Sequence, residues 1–534
     1  MSYPTAADCL VALRDLSGKD PTTLRDELDA MLDAVLNAIP PSRRHLDVLE
    51  TLREPLSRAL GTLSLRYSGQ PVAPDAPEND TLLKVSSTWG KMADAYSVIA
   101  QDTALGNSET TLSLLAQRRT DCLGRAVLEY MRARRVIAPG LWAALHDSLT
   151  DAEARGLAYT RAPDPLNPWQ AQSAAEAHTT LLLVDLSAPF SRSPREFGQI
   201  WQCARHFAPY CRLLPADSDA DDGRRAAYGL DLQGDHGLRP IATLSRLDGI
   251  RRFDSSQLAD QFRAVTTRVR KEQSVAELQL DASVEPEEAV RLLLSLYRPW
   301  ARGSVGRRFT RRPGSGTVDL TGDWKAIILY VGGKPFTQPS MLSAARSVRS
   351  DMRLLTLGER VTDIAEEQPD VAQRAAEHRG YICTQWDILD QSLGGFRLRR
   401  SSSAERIAHR ELIALRPSDA KAFMLGTVSW VMYREDGTLE AGIQLLEGVP
   451  KVVAARSVGL GKGQYDVSFQ PAFLLSETPA IKSPATLVLP AGYFQPFRVI
   501  EMFDEDLSGL RLLELVNRGA DFDQATFETV SVAA

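Results

Sequence analysis

The sequence has few cysteines, few histidines and few aromatic residues, and it has no long apolar run. Its 534 residues include five cysteines, seven histidines and 7% aromatics. No Cys-x-x-Cys pair and no zinc-like spacing to histidine occurs, so we expect free thiols in a reducing compartment and no metal site. The cysteines are Cys9, Cys122, Cys203, Cys211 and Cys383. No apolar run approaches the ~20 residues that cross a bilayer. The N-terminus lacks the pattern of a signal peptide, so a cytoplasmic protein is expected.

Length and charge narrow the class further. A chain of this length is expected to hold roughly three to four domains. Its 44% hydrophobic and 24% charged residues are typical of a soluble globular protein. The formal net charge of −6 argues against a partner such as bulk nucleic acid or an anionic membrane. A local basic site remains compatible with it, and the arginines at 302–312 are a candidate.

The first part of the chain, residues 1–212, is predicted to be an all-α domain. Asp20-Pro21 and Ser108 are typical helix starts, and apolar residues recur at helical spacing after each. The run Thr180–Leu186 has strand-like composition, but the alanine-rich residues before it favour a helix. The paired helices resemble a helical-repeat array, although no clean period is present.

Two further regions follow. The acidic segment Ala216–Gly223 is the best linker candidate, and residues 224–303 are predicted as a mixed connecting domain. Its expected elements are strands at Tyr228–Leu232 and Ile241–Leu244, and helices starting at Asp254-Ser255 and Pro286.

From about residue 305 short alternating runs and glycine turns predict antiparallel strands. A first β domain is expected at 304–450, with an insertion at about 325–378 that includes a helical stretch near 340–357. A second β domain is expected at 463–534. The predicted strands are Thr317–Leu320, Tyr381–Leu389, Phe396–Arg399, Glu411–Leu415, Leu425–Tyr433, Leu439–Leu446, Gln464–Leu475, Thr486–Leu489, Phe497–Phe503 and Leu510–Val516.

Two motifs in the first β domain point to a ligand. Residues 390–395 read Asp-Gln-Ser-Leu-Gly-Gly, an Asp-x-Ser-x-x-Gly pattern between two predicted strands. Residues 307–312 read Arg-Arg-Phe-Thr-Arg-Arg, which contains two overlapping Arg-x-x-x-Arg pairs. A guanidinium binds phosphate oxygens through two nitrogens and also stacks on purine faces. Further on come Gly426-x-Val428-x-Trp430 and Gly442-Ile443, both within predicted strands.

Together, over residues 307–446, these motifs resemble the PilZ domain, a small β-barrel that binds the bacterial second messenger cyclic di-GMP. Together with the helix and strand patterns in the rest of the chain, this resemblance gives an expected α+β multidomain fold: an all-α helical N-terminal region, a PilZ-like antiparallel β-barrel, and a further C-terminal β barrel or extension. The resemblance also implies the roles of the site residues. Arg307, Arg308, Arg311 and Arg312 would hold phosphates and guanine faces. Asp390 would accept from guanine N1–H and the N2 amine, Ser392 would donate to phosphate or base, and Gly394 and Gly395 would let the backbone pass beneath the ligand.

The spacing departs from the pattern of the PilZ family. Arg312 and Asp390 are 78 positions apart, far more than is usual between the two motifs. Either an insertion separates the first two strands, or the matching pair is Arg349 and Arg353, which has the same spacing and lies nearer. The first cluster is favoured because the predicted strand Thr317–Leu320 follows it.

The resemblance implies a non-enzymatic receptor that senses cyclic di-GMP and signals to an unidentified protein partner, with motility, surface attachment or polysaccharide control as output. The fragment Gly459-Leu460-Gly461-Lys462-Gly463 lacks the complete phosphate-loop pattern, and no zinc-protease motif or nucleophile elbow is present. Two alternatives stay open: a ligand-free PilZ-like interaction scaffold, and RNA or single-stranded DNA binding through the 302–312 arginines. The negative net charge and the lack of interleaved aromatics argue against nucleic acid.

Overall fold

The computed structural model groups the chain into two compact units. The first comprises Met1–Gln70 and Pro74–Arg307, and the second comprises Pro71–Ala73 and Arg308–Ala534. The residues that the structure describes are 5–16, 18–38, 41–102, 108–215, 227–244, 249–302, 311–339, 380–381, 383–401, 406–457 and 468–530.

The first unit is mainly helical. Its helices are α1 (Ala6–Ala12), α2 (Pro21–Leu36), α3 (Arg43–Ser64), α4 (Ala76–Gln101), α5 (Glu109–Arg132), α6 (Leu141–Ala154), α7 (Ala174–Leu186), α8 (Pro194–Phe207), α9 (Ser256–Glu272) and α10 (Pro286–Tyr297). None of the helices that the structure describes combines the length and the apolar character needed to cross a membrane.

Several helix starts follow the signals in the sequence. The Asp20 carboxylate accepts from the backbone N–H groups of Thr22 and Thr23, and Pro21 occupies the first position of α2. Ser108 caps α5 by accepting from the Thr111 backbone N–H. The preference for a helix at Thr180–Leu186 is confirmed by α7, which Ser173 and Glu176 open with a reciprocal capping box.

The residues between the helices form two small sheets. Strands β1 (Ala162–Pro163) and β2 (Ala171–Gln172) make one antiparallel pair. Strands β3 (Arg212–Pro215), β4 (Tyr228–Asp231), β5 (Arg239–Pro240) and β6 (Ile250–Asp254) make the second sheet, in the order β3-β6-β4-β5. The strand predicted at Ile241–Leu244 is wrong, because Ile241–Thr243 is a 3-10 turn that follows Pro240.

The segment predicted as a connecting domain at 224–303 shares its core with the helices. Leu230, Phe262 and Trp300 are buried in the same apolar cluster as residues of α2 to α8. The Trp300 indole N–H donates to the Leu183 backbone carbonyl of α7 at 2.7 Å. The domain boundaries drawn from the sequence stay a prediction, and the acidic segment 216–223 lies outside the described residues.

Asp185 near the end of α7 gives this unit a pH-dependent stability. Its carboxylate accepts no hydrogen bond from the described residues, and it lies so close to Gly237 that a Cβ there would be 2.3 Å from Oδ2. Burial raises the pKa of Asp185 from an ordinary 3.8 to about 6, although Arg239 and His236 oppose the shift. An acid whose pKa is raised on folding stabilises the fold only at low pH, and this contribution is lost as pH rises from about 4 through 6.

Asp185→Asn is therefore expected to raise the free energy of unfolding near neutral pH, by at most about 3 kcal/mol. The gain should shrink as pH falls below 6 and disappear near pH 4. Urea unfolding of the wild type and of Asp185→Asn across this pH range measures the difference in free energy of unfolding. Asp147→Asn, which changes an exposed carboxylate on the neighbouring α6, is the control. A gain that does not depend on pH would contradict the assignment.

The second unit begins with a closed antiparallel barrel. Its strands are β8 (Thr317–Thr321), β9 (Thr384–Ser392), β10 (Gly395–Arg400), β11 (Leu412–Pro417), β12 (Met424–Tyr433) and β13 (Leu439–Leu445). They follow the order β10-β13-β12-β11-β8-β9, and β9 also pairs with β10, which closes the ring. The two-residue strand β7 (Arg312–Pro313) pairs with β9 just ahead of β8.

A second closed barrel follows, which confirms the predicted fold class of a helical region and two β regions. Its strands are β14 (Pro450–Ser457), β15 (Gln470–Leu475), β16 (Thr486–Pro490), β17 (Val499–Phe503), β18 (Leu507–Arg518) and β19 (Phe522–Val530), in the order β14-β15-β16-β19-β18-β17. The sequence prediction missed β14 and β19. β14 carries one lysine and one arginine beside short, mostly small apolar residues, and β19 is largely polar, so neither has a clear apolar alternation.

Helix α11 (Trp324–Gly332) packs between the two barrels. Ile327 and Ile328 share a buried cluster with Leu412 of the first barrel and Phe473 of the second. The Asp521 carboxylate accepts from the Trp324 indole N–H at 2.7 Å and from the Leu412 backbone N–H at 2.8 Å. The helical stretch expected near 340–357 and the glycine-rich segment 459–463 lie outside the described residues.

Candidate functional site

The pairing of β7 with β9 brings the two sequence motifs together. Arg312 lies opposite Gln391, and Pro313 lies opposite Asp390. Gly314 and Gly316 then hydrogen-bond to the backbone of Leu389 and Ile388, so the chain runs along β9 from β7 into β8. The two motifs therefore lie on neighbouring strands, although 78 positions separate Arg312 from Asp390 in the sequence.

Arg311 and Asp390 form a direct ion pair. Arg311 Nη1 donates to Asp390 Oδ1 at 2.6 Å, although the residues are 79 positions apart in sequence. Arg312 is exposed, and its guanidinium forms no hydrogen bond or ion pair with the part of the chain that the structure describes. Arg307 and Arg308 lie outside the described residues, as do Arg349 and Arg353 of the alternative pair.

The Asp-x-Ser-x-x-Gly residues form the hairpin between β9 and β10. Ser392 Oγ donates to the Gly395 carbonyl at 3.4 Å, and the Gly394 carbonyl accepts from Leu445 N–H at 3.0 Å. Gly395 has φ +153°, and a Cβ there would lie 1.9 Å from the Ile443 carbonyl oxygen. The close approach that requires glycine at 395 is thus to the neighbouring strand β13.

Sequence reasoning assigned no role to a second arginine beside Asp390. Arg397 lies directly opposite Asp390 on β10, and its Nη1 is 4.0 Å from Asp390 Oδ2. Its Nη2 donates to Glu440 Oε2 at 2.7 Å, while Arg434 Nη2 reaches Glu440 Oε1 at 2.8 Å. Burial by itself raises the pKa of Glu440, but the hydrogen bonds from Arg397 and Arg434 bring it below the ordinary 4.5. Glu440 is therefore a carboxylate that anchors two arginines.

The cross-strand row of residues that starts with Asp390 and Arg397 continues to the indole ring of Trp430. Arg397 pairs with Gly442 of β13, and Gly442 pairs with Trp430 of β12. A Cβ at Gly442 would lie 1.9 Å from Trp430 Nε1, so the indole covers the space above the glycine. Because Ala441 and Ile443 are buried in the barrel core, this row faces outward. Asp390, Arg397, Gly442 and Trp430 thus line up across four strands.

The electrostatics of this face suit an anion. Four arginines lie on this face, at positions 311, 312, 397 and 434. In the part of the chain that the structure describes, their ion pairs are with two carboxylates, Asp390 and Glu440. Two positive charges are in excess, and guanidinium groups favour phosphate oxygens. Among the described residues no group of His, Cys, Asp and Glu could hold a metal ion. The fold contains two barrels, and the outward face of the first carries residue types that suit a phosphate-bearing ligand.

Comparison with known protein families adds information on the kind of ligand. Residues 7–217 match the family described as "Cyclic-di-GMP receptor FimW, N-terminal domain", and residues 453–530 match the "FimW C-terminal beta-barrel domain". Two regions of the chain are therefore similar to the N-terminal and C-terminal domains of a cyclic-di-GMP receptor family, in that order. Both matches are named for FimW rather than PilZ, and the first barrel lies between them. No curated protein matches the sequence. The ligand expected from the sequence, cyclic di-GMP, agrees with the family.

Proposed function

We propose that this protein is a cyclic di-GMP receptor whose ligand site is the outward face of the first, PilZ-like barrel. The observation that carries the proposal is the ion pair between Arg311 and Asp390, which joins the two motifs of the site. The FimW descriptions of the flanking domains support the ligand independently of that geometry.

Each part of the face matches a part of the ligand. The arginines of the β7 segment, Arg311 and Arg312, bind phosphate oxygens, with Arg307 and Arg308 proposed to complete the set. Asp390 accepts from the Watson–Crick edge of a guanine, and Ser392 donates to phosphate or base. Trp430 offers an indole face on which a purine stacks, a contact worth about 1–3 kcal/mol per base. A site of this kind binds its ligand and catalyses no reaction.

We propose that ligand binding exchanges the contact between Arg311 and Asp390 for contacts with the ligand. In the free protein each group satisfies the other at 2.6 Å. A dianionic ligand supplies phosphate to the arginine and base donors to the carboxylate, so the pair opens as the ligand enters. We propose that this rearrangement of the β7 segment is the signal to a protein partner, with motility, surface attachment or polysaccharide control as output.

Calorimetric titration of cyclic di-GMP tests the proposal. The wild-type protein is expected to bind at micromolar concentration or tighter. Arg311→Ala combined with Arg312→Ala, and separately Asp390→Ala, should each weaken binding roughly tenfold to hundredfold, because each removes charge-assisted hydrogen bonds. Circular dichroism checks that the variants are folded.

Asp319→Ala is the matched control for Asp390→Ala. Asp319 lies on β8 of the same barrel and pairs with Arg416 at 2.9 Å, so the change also removes a carboxylate from an arginine. Its binding should remain as in the wild type. Absence of heat with wild-type protein at high ligand concentration would refute the receptor and leave the interaction scaffold. Tight, salt-sensitive binding of oligonucleotides in its place would favour the nucleic-acid alternative.

A further inference from the structure

We infer that Asp390 and Arg397 act together as a guanine-reading pair, and that Arg397 determines the selectivity of the site for guanine over adenine. The inference rests on the proposed cyclic di-GMP site and adds a residue to it. Arg397 differs in position from the phosphate-binding arginines, because it projects from β10 within the barrel wall, whereas Arg311 and Arg312 lie on the β7 segment.

The first support is the separation of the two groups. They lie opposite each other in register, yet Arg397 Nη1 is 4.0 Å from Asp390 Oδ2, too far for a direct hydrogen bond. Asp390 Oδ1 is occupied by Arg311, while Oδ2 accepts no hydrogen bond from the described residues. An acceptor and a donor therefore stand side by side on the outward face, with side chains 21% and 38% exposed.

The second support is the fixed orientation of Arg397. Its Nη2 is held by Glu440, whose side chain is only 5% exposed, and Glu440 is held in turn by Arg434. The Arg397 side chain is 38% exposed, so it remains open to a ligand. Because the ion pair with Glu440 fixes Nη2, Nη1 stays beside Asp390, whereas an unpaired exposed arginine would sample many rotamers.

The third support is the chemistry of the base. Guanine presents the N1–H donor and the O6 acceptor next to each other on one edge, and their partners lie roughly 3–4 Å apart. Asp390 Oδ2 suits N1–H and Arg397 Nη1 suits O6. Adenine places an acceptor at N1 and an amine donor at position 6, so it would face both groups with the wrong polarity. A site whose polar groups are left unpaired by the wrong base discriminates strongly.

The test compares cyclic di-GMP with cyclic di-AMP by calorimetry, directly and in competition. Arg397→Ala should weaken cyclic di-GMP binding roughly tenfold or more and leave cyclic di-AMP binding unchanged, so that the ratio between them narrows. Arg397→Lys should lose the same selectivity, since an ammonium cannot engage Glu440 and O6 together as a planar fork does. Arg312→Ala should instead weaken both ligands alike and reduce the salt dependence of binding, which Arg397→Ala should leave unchanged.

Arg456→Ala is the matched structural control, because Arg456 pairs with the buried Glu501 in the second barrel in the same manner. It should bind both ligands as the wild type does. Equal weakening of both ligands by Arg397→Ala, or no effect on either, would overturn the inference while leaving the receptor intact. Failure of the wild-type protein to bind cyclic di-GMP would overturn the proposed function and this inference with it.

Discussion

Asp164→Ala is expected to lower the free energy of unfolding by about 3–5 kcal/mol, because it leaves buried charge uncompensated in the helical unit. Asp164 Oδ1 accepts from Arg53 Nη1 at 3.1 Å, and Oδ2 accepts from Gln117 Nε2 at 3.2 Å and lies 3.7 Å from Arg118 Nη1. The side chains of Arg53, Arg118 and Asp164 are 7%, 1% and 3% exposed.

The loss is concentrated on Arg53. After the substitution Arg118 keeps its contact with Glu50 at 2.8 Å, whereas Arg53 has only Asp121 at 3.9 Å among the described residues. Burying a guanidinium without a close partner is costly, so the unfolding transition shifts accordingly.

Denaturant unfolding monitored by circular dichroism measures the effect, and Asp151→Ala is the control. Asp151 also pairs with an arginine of α5, Arg119, but its side chain is 59% exposed. An exposed pair contributes about 1 kcal/mol or less. If the two variants lose the same free energy, the buried network does not stabilise the unit as argued.

Gly395→Ala is expected to destabilise the first barrel by roughly 2–6 kcal/mol, from overpacking and backbone strain combined. The new Cβ would lie 1.9 Å from the Ile443 carbonyl oxygen, which is backbone and cannot rotate away as a side chain can. Since Gly395 pairs with both Ser392 and Gln444, the strands on either side have to separate.

Gly437→Ala is the comparison for this prediction. Gly437 also has a positive φ, +83°, but the nearest atom to a Cβ there is the Tyr433 hydroxyl at 4.0 Å. Only backbone strain of about 1 kcal/mol is expected. Thermal unfolding of both variants separates the cost of backbone strain from the cost of the steric clash with Ile443. Equal losses of stability would show that β10 does not approach β13 closely. If Gly395→Ala loses both stability and ligand binding, the lost binding reflects a damaged barrel as much as a lost ligand contact.

Much of the fold can be predicted from local pattern. Helix starts at Asp20 and Ser108 are fixed by side-chain oxygens that accept from nearby backbone N–H groups, and such contacts lie within a few residues. The strands of the first barrel were found because apolar residues alternate along them. β14 and β19 were missed because charged and polar residues mask the alternation in both.

The candidate site is less local. Arg397 lies in the run Phe396-Arg397-Leu398-Arg399-Arg400, which as sequence resembles an ordinary solvated strand face. In the barrel Arg400 is buried with its guanidinium 4.8 Å from the centre of the Trp386 ring, while Arg397 faces Asp390. A bulge in the pairing of β9 with β10 falls at this point, and no local signal in the sequence places it.

The sequence by itself determined most of the elements, the fold class and the residue types that suit a phosphate-bearing dinucleotide, because those depend on periodicity, caps and side-chain chemistry. Tertiary structure decided which residues meet. The ion pair between Arg311 and Asp390 spans 79 positions, and it forms because β7 and β9 share a register that spacing along the chain cannot encode. The row from Asp390 to Trp430 likewise exists only once four strands are aligned side by side.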